Sequence, residues 1–171
     1  SAGGLMSNLL IHGIGLPPVI NYGSEAVKQM VAPPVLAGEK RISLGITEPS
    51  GGSDVANITT TAVRDGDHYI VNGSKTFISG VMNADWVSTA VRTGGEGGRG
   101  VSMLLIPTDL PGVARTPLDR KQGWWCANTG TIYFDNVRVP AENLLGEEGQ
   151  GFWVIMTNFN PERLSLAVTM E

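Results

Sequence analysis

Cysteine, histidine and charge are all scarce in this sequence. One cysteine in 171 residues excludes a disulfide framework, and Cys126, His12 and His68 are spaced too widely to make a zinc site from this chain. Such cysteine usage fits a reducing, intracellular compartment. Charged residues make up 16% of the chain, where a soluble domain carries about a quarter. The 12 Lys and Arg against 16 Asp and Glu leave a net charge of −4, without the basic surplus of a nucleic-acid binder. Long apolar runs are missing too: the stretch from Leu5 to Ile20 is broken by Ser7, Asn8, His12 and Pro17-Pro18, so no membrane span is expected. The sequons at Asn57 and Asn72, with no cysteine pairs and no signal-like leader, are expected to be ordinary strand and turn residues.

What the chain has in quantity is glycine and proline, 23 and 10 residues. That is the composition of a loop-rich domain, and the length suits one domain or a middle-sized domain with fragments of its neighbours. The low charge favours the second. Residues 1–40 read as the end of a helical domain. Leu5, Leu9, Ile11, Leu16 and Ile20 line a first apolar segment, and Ser24 is placed to cap a second one, Glu25 to Val31, ending at Pro33-Pro34.

Residues 41–145 read as a domain of strands separated by turn chemistry. Strand-like runs cover 42–47, 58–63, 68–77, 86–91, 101–106 and 131–134, with Asp65-Gly66 as a hairpin dipeptide, Asn72-Gly73 as a bulge or turn, and 109–112 closing a loop. Successive short strands without intervening helices predict an antiparallel barrel or sandwich, and the fold class is mainly β with flanking α. Residues 146–171 read as the start of a second helical domain, with Phe152, Ile155, Met156 and Phe159 at helical spacing running into Leu164, Leu166 and Val168. The pattern reaches Glu171 without a C-cap and reads as cut.

Gly95 to Gly100 matches G-x-G-x-x-G, but a strand-like run follows it rather than a helix, so the dinucleotide fingerprint lacks its structural context. A flexible hairpin loop accounts for it. Three other segments could carry chemistry. In 46–54, Gly51, Gly52 and Ser53 follow a turn at Glu48-Pro49, and small residues let backbone N–H groups converge on an anion while Thr47 and Ser53 add hydroxyls. A surface turn has the same composition. Phe77 and Ser79, two apart on a strand, point to one side and could hold a planar ring; a core Phe beside a strand-end Ser is the plainer alternative. In 158–163, Asn160 can cap a new or kinked helix with Pro161 in its first turn, placing Glu162 among Phe159, Leu164 and Leu166. Desolvation there raises the carboxyl pKa toward that of a general base, whereas an exposed first-turn Glu would only favour the helix dipole. His68 with Asp65 and Asp67 reads as a solvated turn, and Trp124-Trp125 with Cys126 as barrel packing.

Taken in order, 46–54 (Ile-Thr-Glu-Pro-x-x-Gly-Ser-Asp), 72–79 (Asn-Gly-x-Lys-x-Phe-Ile-Ser), 134–140 (Phe-Asp-Asn-Val-Arg-Val-Pro), Gly149-x-Gly-Phe152 and Glu162-Arg163-Leu164 resemble the acyl-CoA dehydrogenase family over essentially the whole chain. The resemblance implies that residues 41–145 are a middle antiparallel β-barrel between two helical domains, with FAD in the groove between barrel and C-terminal helices. It implies that Leu44, Ile46, Thr47, Gly52, Ser53, Phe77, Ile78 and Ser79 contact the flavin, and that Ser53, Asn160 and Arg163 contact the acyl-CoA. Where the family often has Trp and Thr, Phe77 keeps the ring without the indole N–H and Ser79 keeps the hydroxyl.

Most members of that family carry the catalytic glutamate later in the chain. A subset similar to isovaleryl-CoA and long-chain acyl-CoA dehydrogenases carries it in a Glu-Arg-Leu element, which implies Glu162 as the base here. The implied reaction is α,β-dehydrogenation of an acyl thioester to the trans-2-enoyl-CoA, with the β-hydrogen leaving as hydride to the flavin and an electron-transferring flavoprotein as the next acceptor. The resemblance also implies a homo-oligomer, dimer or tetramer, located in the cytoplasm if bacterial and in the mitochondrial matrix if eukaryotic. Two alternatives stay open: a related acyl-CoA oxidase or flavin monooxygenase, and, for these 171 residues alone, a non-catalytic barrel module.

Overall fold

A computed structural model describes residues 11–168; Leu5, Leu9 and Glu171 of the expected terminal patterns lie outside the described residues. Two short helices, α1 (His12–Gly15) and α2 (Pro17–Tyr22), lead into α3 (Glu25–Leu36). Ser24 is extended and its Oγ accepts the Val27 N–H at 3.3 Å, the expected N-cap. Val27, Val31 and Val35 form the buried stripe of α3 at four-residue spacing. The expected end at Pro33-Pro34 is corrected, because α3 runs on through both prolines. Their missing N–H groups leave the Gln29 and Met30 carbonyls unpaired within the helix, and both residues are exposed, so water can donate instead.

Seven strands follow: β1 (Ile42–Gly45), β2 (Thr61–Asp65), β3 (His68–Ser79), β4 (Trp86–Arg92), β5 (Val101–Pro107), β6 (Val113–Pro117) and β7 (Thr129–Pro140). They form one sheet in the order β1-β4-β2-β3-β7-β6, with β5 on the other edge of β4, curled into a half-barrel. The expected fold is borne out, with one refinement. β1 pairs with β4 in parallel over four residue pairs, and β2 meets β4 in parallel at Thr61–Arg92, while the other pairings are antiparallel. β6 escaped notice in the sequence because it is an edge strand with no buried residue to give it alternation, and it ends in proline.

Two cores share the β4–β5 pair. On β5, Val101, Met103 and Leu105 pack with Val19, Val31 and Ile155 of the helices, while Leu104 and Ile106 point the other way, to Tyr69, Val71, Ile132 and Val139 inside the half-barrel. A strand buried on both faces reads as a continuous apolar run, which is why 101–106 was recognisable. The Asp65-Gly66 turn joins β2 to β3 with Gly66 at φ 62°, as expected. Asn72-Gly73 is a bulge within β3: Asn72 Oδ1 accepts the Asn136 N–H at 2.8 Å where the ladder slips. Gly94 to Gly100 connects β4 to β5 and opens onto a strand, in agreement with a hairpin loop.

The last element, α4 (Gly151–Val168), is continuous through Pro161. The expected helix start at Asn160 is therefore corrected: Asn160 lies inside the helix, and Glu162 has no N-terminal dipole beside it. Gly151 is required at its start, where a Cβ would sit 2.4 Å from the Ser102 carbonyl carbon. Trp124 and Trp125 do not pack in the barrel as expected; they stand 60% and 80% exposed on the loop between β6 and β7, with Trp124 at φ 53°. Among the described residues no helix is long and apolar enough to cross a membrane.

Gly73 has φ 139°, and a Cβ there would lie 2.7 Å from Thr60 Cα. Gly73→Ala is expected to destabilise the fold by about 2 kcal/mol or more. Urea unfolding checks this, and a change below about 0.5 kcal/mol would contradict the bulge geometry.

Candidate active site

The segment leaving β1 and the end of β3 run side by side without being ladder neighbours, since β1 pairs with β4 and β3 lies two strands further on. What joins them is a set of individual bonds. The Thr76 N–H donates to the Thr47 carbonyl at 2.8 Å, and Ser43 Oγ donates to the Ser79 carbonyl at 2.8 Å. Lys75 Nζ donates to the Ile46 carbonyl at 3.2 Å and to Glu48 Oε1 at 2.7 Å.

Lys75 and Glu48 are 0% and 3% exposed, so this ion pair is interior. Glu48 also accepts the Thr59 N–H and hydroxyl at 2.6 Å each and the Thr60 N–H at 2.9 Å. Burial alone would raise the Glu48 pKa, but the bonds from Lys75, Thr59 and Thr60 outweigh it and hold the carboxyl at about 2. Burial dominates at Lys75 and lowers its ammonium to about 8, against the support of Glu48.

Between Lys75 and Ile78 the register with β7 slips, and Phe77 takes the left-handed conformation at φ 58°. A non-glycine residue there marks strain held in place by its surroundings. The bulge turns the Phe77 ring outward, 62% exposed, so it is not the core Phe that composition allowed.

Across from this wall stands α4. Asn158 Nδ2 donates to the Ile14 carbonyl at 3.1 Å, tying α4 to α1. One turn on, Glu162 Oε2 is buried and has no hydrogen-bond partner among the described residues. Desolvation raises the Glu162 pKa, with the Arg163 charge opposing it. Pro161 leaves the Thr157 carbonyl without its helical donor but does not interrupt the helix.

These parts line one cavity of about 200 Å³, formed by Ile11, Ile14, Leu44, Ile46, Thr47, Phe77, Ile78, Ser79, Phe159 and Glu162. Most of the residues expected at the cofactor face therefore share a cavity with the expected base. Gly52, Ser53, Asn160 and Arg163 do not line it and are exposed. Gly52 packs behind Thr47, where a Cβ would lie 3.4 Å from Thr47 Cγ2, and the Arg163 guanidinium sits 5.7 Å from the Phe159 ring centre. His68 pairs with Asp67 at 2.6 Å in the β2–β3 turn, away from the cavity. What this arrangement can do is take a proton from a bound molecule inside an apolar cleft beside an aromatic face.

Sequence reasoning missed the Lys75–Glu48 pair, although a signal for it was present. Tyr69, Val71 and Lys75 fall on the inward-facing register of β3, and a lysine on a core-facing position needs an acid to meet it. It missed Ile11, Ile14 and Phe159 as cavity walls because their meeting depends on how the helices dock.

The curled sheet presents a strained aromatic bulge toward a helix-borne, desolvated carboxyl group. A family model described as acyl-CoA dehydrogenase, middle domain, matches residues 43–137. The chain is 46% identical over 154 residues to the acyl-CoA dehydrogenase AFT10-1 of Alternaria alternata, covering 90% of this chain and 35% of that protein. A crystal structure of acyl-CoA dehydrogenase from Geobacillus kaustophilus superposes with a TM-score of 0.91 at 42% identity, covering 96% of this chain and 44% of that one. A glutaryl-CoA dehydrogenase from Mycobacterium smegmatis in complex with FADH2 gives 0.85 at 31% identity, covering 92% and 40%. The chain belongs to the acyl-CoA dehydrogenase family, an oxidoreductase family, and spans less than half the length of these relatives.

Because the folded-state pKa of Glu48 lies below the ordinary 4.5, its contribution is fully present above that pH and is lost as the pH falls toward about 2. It amounts to on the order of 3 kcal/mol at neutral pH. Urea unfolding at pH 6 and pH 2 is expected to show a smaller acid loss in Glu48→Gln than in the wild type by about that amount. Equal acid losses would contradict the electrostatic account.

Proposed function

We propose that this chain is the middle part of an FAD-dependent enzyme that removes the α- and β-hydrogens of an acyl-CoA thioester to give the trans-2-enoyl-CoA. Residues 41–145 form its barrel domain, with 1–40 and 146–171 belonging to helical domains on either side. The observation that carries this reading is the buried, unpartnered Glu162 Oε2 on the cavity that Thr47, Phe77, Ile78 and Ser79 also line. An orphaned acceptor of that kind is costly in a folded chain unless water or a ligand meets it, and its place on this cavity favours a ligand.

The residues present suit a planar, amphipathic ring. Leu44, Ile46 and Ile78 supply apolar surface, the outward Phe77 a face to pack on, and Thr47 and Ser79 hydroxyls for its polar edge. The family relationship, including the glutaryl-CoA dehydrogenase solved with FADH2, supports FAD as that group. FAD bound there supplies a hydride acceptor. Gly52 and Ser53 would hold its pyrophosphate on the exposed turn next to Thr47, and Ser53, Asn160 and Arg163 would meet the acyl-CoA.

Glu162 removes the α-proton and holds it on its carboxylate, while the electrons of that C–H bond form the new double bond as the β-hydrogen departs as hydride. Desolvation raises its pKa, the direction that proton removal from so weak an acid calls for. Electrons then pass to an electron-transferring flavoprotein, and the enzyme works as a homo-oligomer.

The test uses the full-length protein purified with its flavin and mixed anaerobically with acyl-CoAs of graded length and branching. At least one is expected to bleach the flavin, and Glu162→Gln is expected to slow that step by at least 100-fold with the flavin still bound. Bleaching by none of them refutes the dehydrogenase reading. A variant as fast as the wild type would move the base to another residue.

A further inference from the structure

Lys75 and Glu48 are the most deeply buried charged residues described, and proton removal at Glu162 makes no use of them. Their place in the fold gives them another task. The two segments of the proposed flavin wall, 44–47 and 77–79, belong to strands that share no ladder. Such segments can slide or part without breaking a sheet, and a one-residue slip exchanges the side chains that face the cleft.

Lys75 sits where that slip is prevented. Its Nζ reaches the Ile46 carbonyl and Glu48 Oε1, one residue to either side of Thr47, while the N–H of its neighbour Thr76 bonds to the Thr47 carbonyl. Glu48 is in turn anchored by the Thr59 and Thr60 N–H groups at the approach to β2. The next residue after Thr76 is Phe77, whose left-handed backbone needs support from both sides. Gly45 leaves room for the lysine stem: a Cβ there would lie 3.5 Å from Lys75 Cγ and 2.9 Å from Val87.

We propose that the Lys75–Glu48 pair is a positioning element for the flavin wall, fixing the Phe77 bulge in register with Thr47. This rests on the reading of that wall as a flavin site. A buried ion pair is a poor source of stability compared with apolar side chains of the same volume, but it is directional and tolerates one register only. Neither residue touches the reacting atoms; both act through Thr47, Thr76 and Phe77.

The experiment uses the full-length flavin-loaded enzyme and two variants: Glu48→Gln, which keeps the carbonyl acceptor, and the double variant Lys75→Met/Glu48→Gln, which leaves no unpaired buried charge. Three readouts are taken at a temperature where each variant is folded: flavin dissociation constant, visible circular dichroism of the bound flavin, and amide exchange at Thr76. A positioning role predicts flavin binding weakened at least tenfold, a reduced flavin dichroism, and exchange at Thr76 accelerated at least tenfold, with β4 and β5 protected as in the wild type. If both variants lower only the melting temperature and leave all three readouts at wild-type values, the pair is structural and the proposal is overturned. Exchange at Thr76 is also measured without flavin, so it decides the positioning role even if the wild type proves to hold no flavin. Glu162→Gln serves as the control that separates the two readings: it should lose reduction by acyl-CoA with all three readouts unchanged.

Discussion

A single buried ion pair organises the sheet side of the site. Lys75 and Glu48 have to be taken out of water together, and that cost is met only because every oxygen of Glu48 is occupied by Lys75, Thr59 or Thr60. The same bonds join strands that the ladder does not. Thr47 lies between the carbonyl and carboxylate contacts of Lys75, and Phe77 lies two residues beyond the lysine, so this contact, with the Thr76–Thr47 and Ser43–Ser79 bonds, ties the wall of the cleft together.

The helix side is built by a different means. α4 reaches the cleft because Gly151 lets its first turn lie against β5 and because Asn158 bonds to the end of α1. Glu162 then comes to rest half-buried among Ile11, Ile14 and Phe159, with one oxygen unsatisfied. A saturated pair stands on one side and a carboxylate with an unsatisfied oxygen on the other: the first has its hydrogen-bond partners within the fold, and the second is the group proposed to take the proton.

How much of this could be read before folding depended on whether the information was local. The two-sided burial of β5 wrote an unbroken apolar run, and Asp65-Gly66 and Ser24 announced a turn and a cap from their own chemistry. β6 wrote nothing, being an exposed edge. Pro33 and Pro161 misled because a proline weakens a helix without always ending it, and both helices here run through their prolines. At the site, Thr47, Phe77, Ser79 and Glu162 were nameable from ordered motifs, but their convergence was not. Nor was the outward turn of Phe77, which depends on a β-bulge set by β7, or the meeting of Glu48 with Lys75, 27 residues apart in sequence.

The central claim is that Glu162 faces the reacting carbon of an acyl-CoA lying against the wall of Thr47, Phe77 and Ser79. The most direct measurement is a crystal structure of the full-length protein with oxidised flavin and an unreactive thioether analogue of an acyl-CoA. The account predicts a Glu162 carboxylate oxygen within about 3.5 Å of the analogue's α-carbon, with the flavin ring against Phe77 and Ser79. Another carboxylate at the α-carbon, with Glu162 turned to solvent or paired elsewhere, would contradict it.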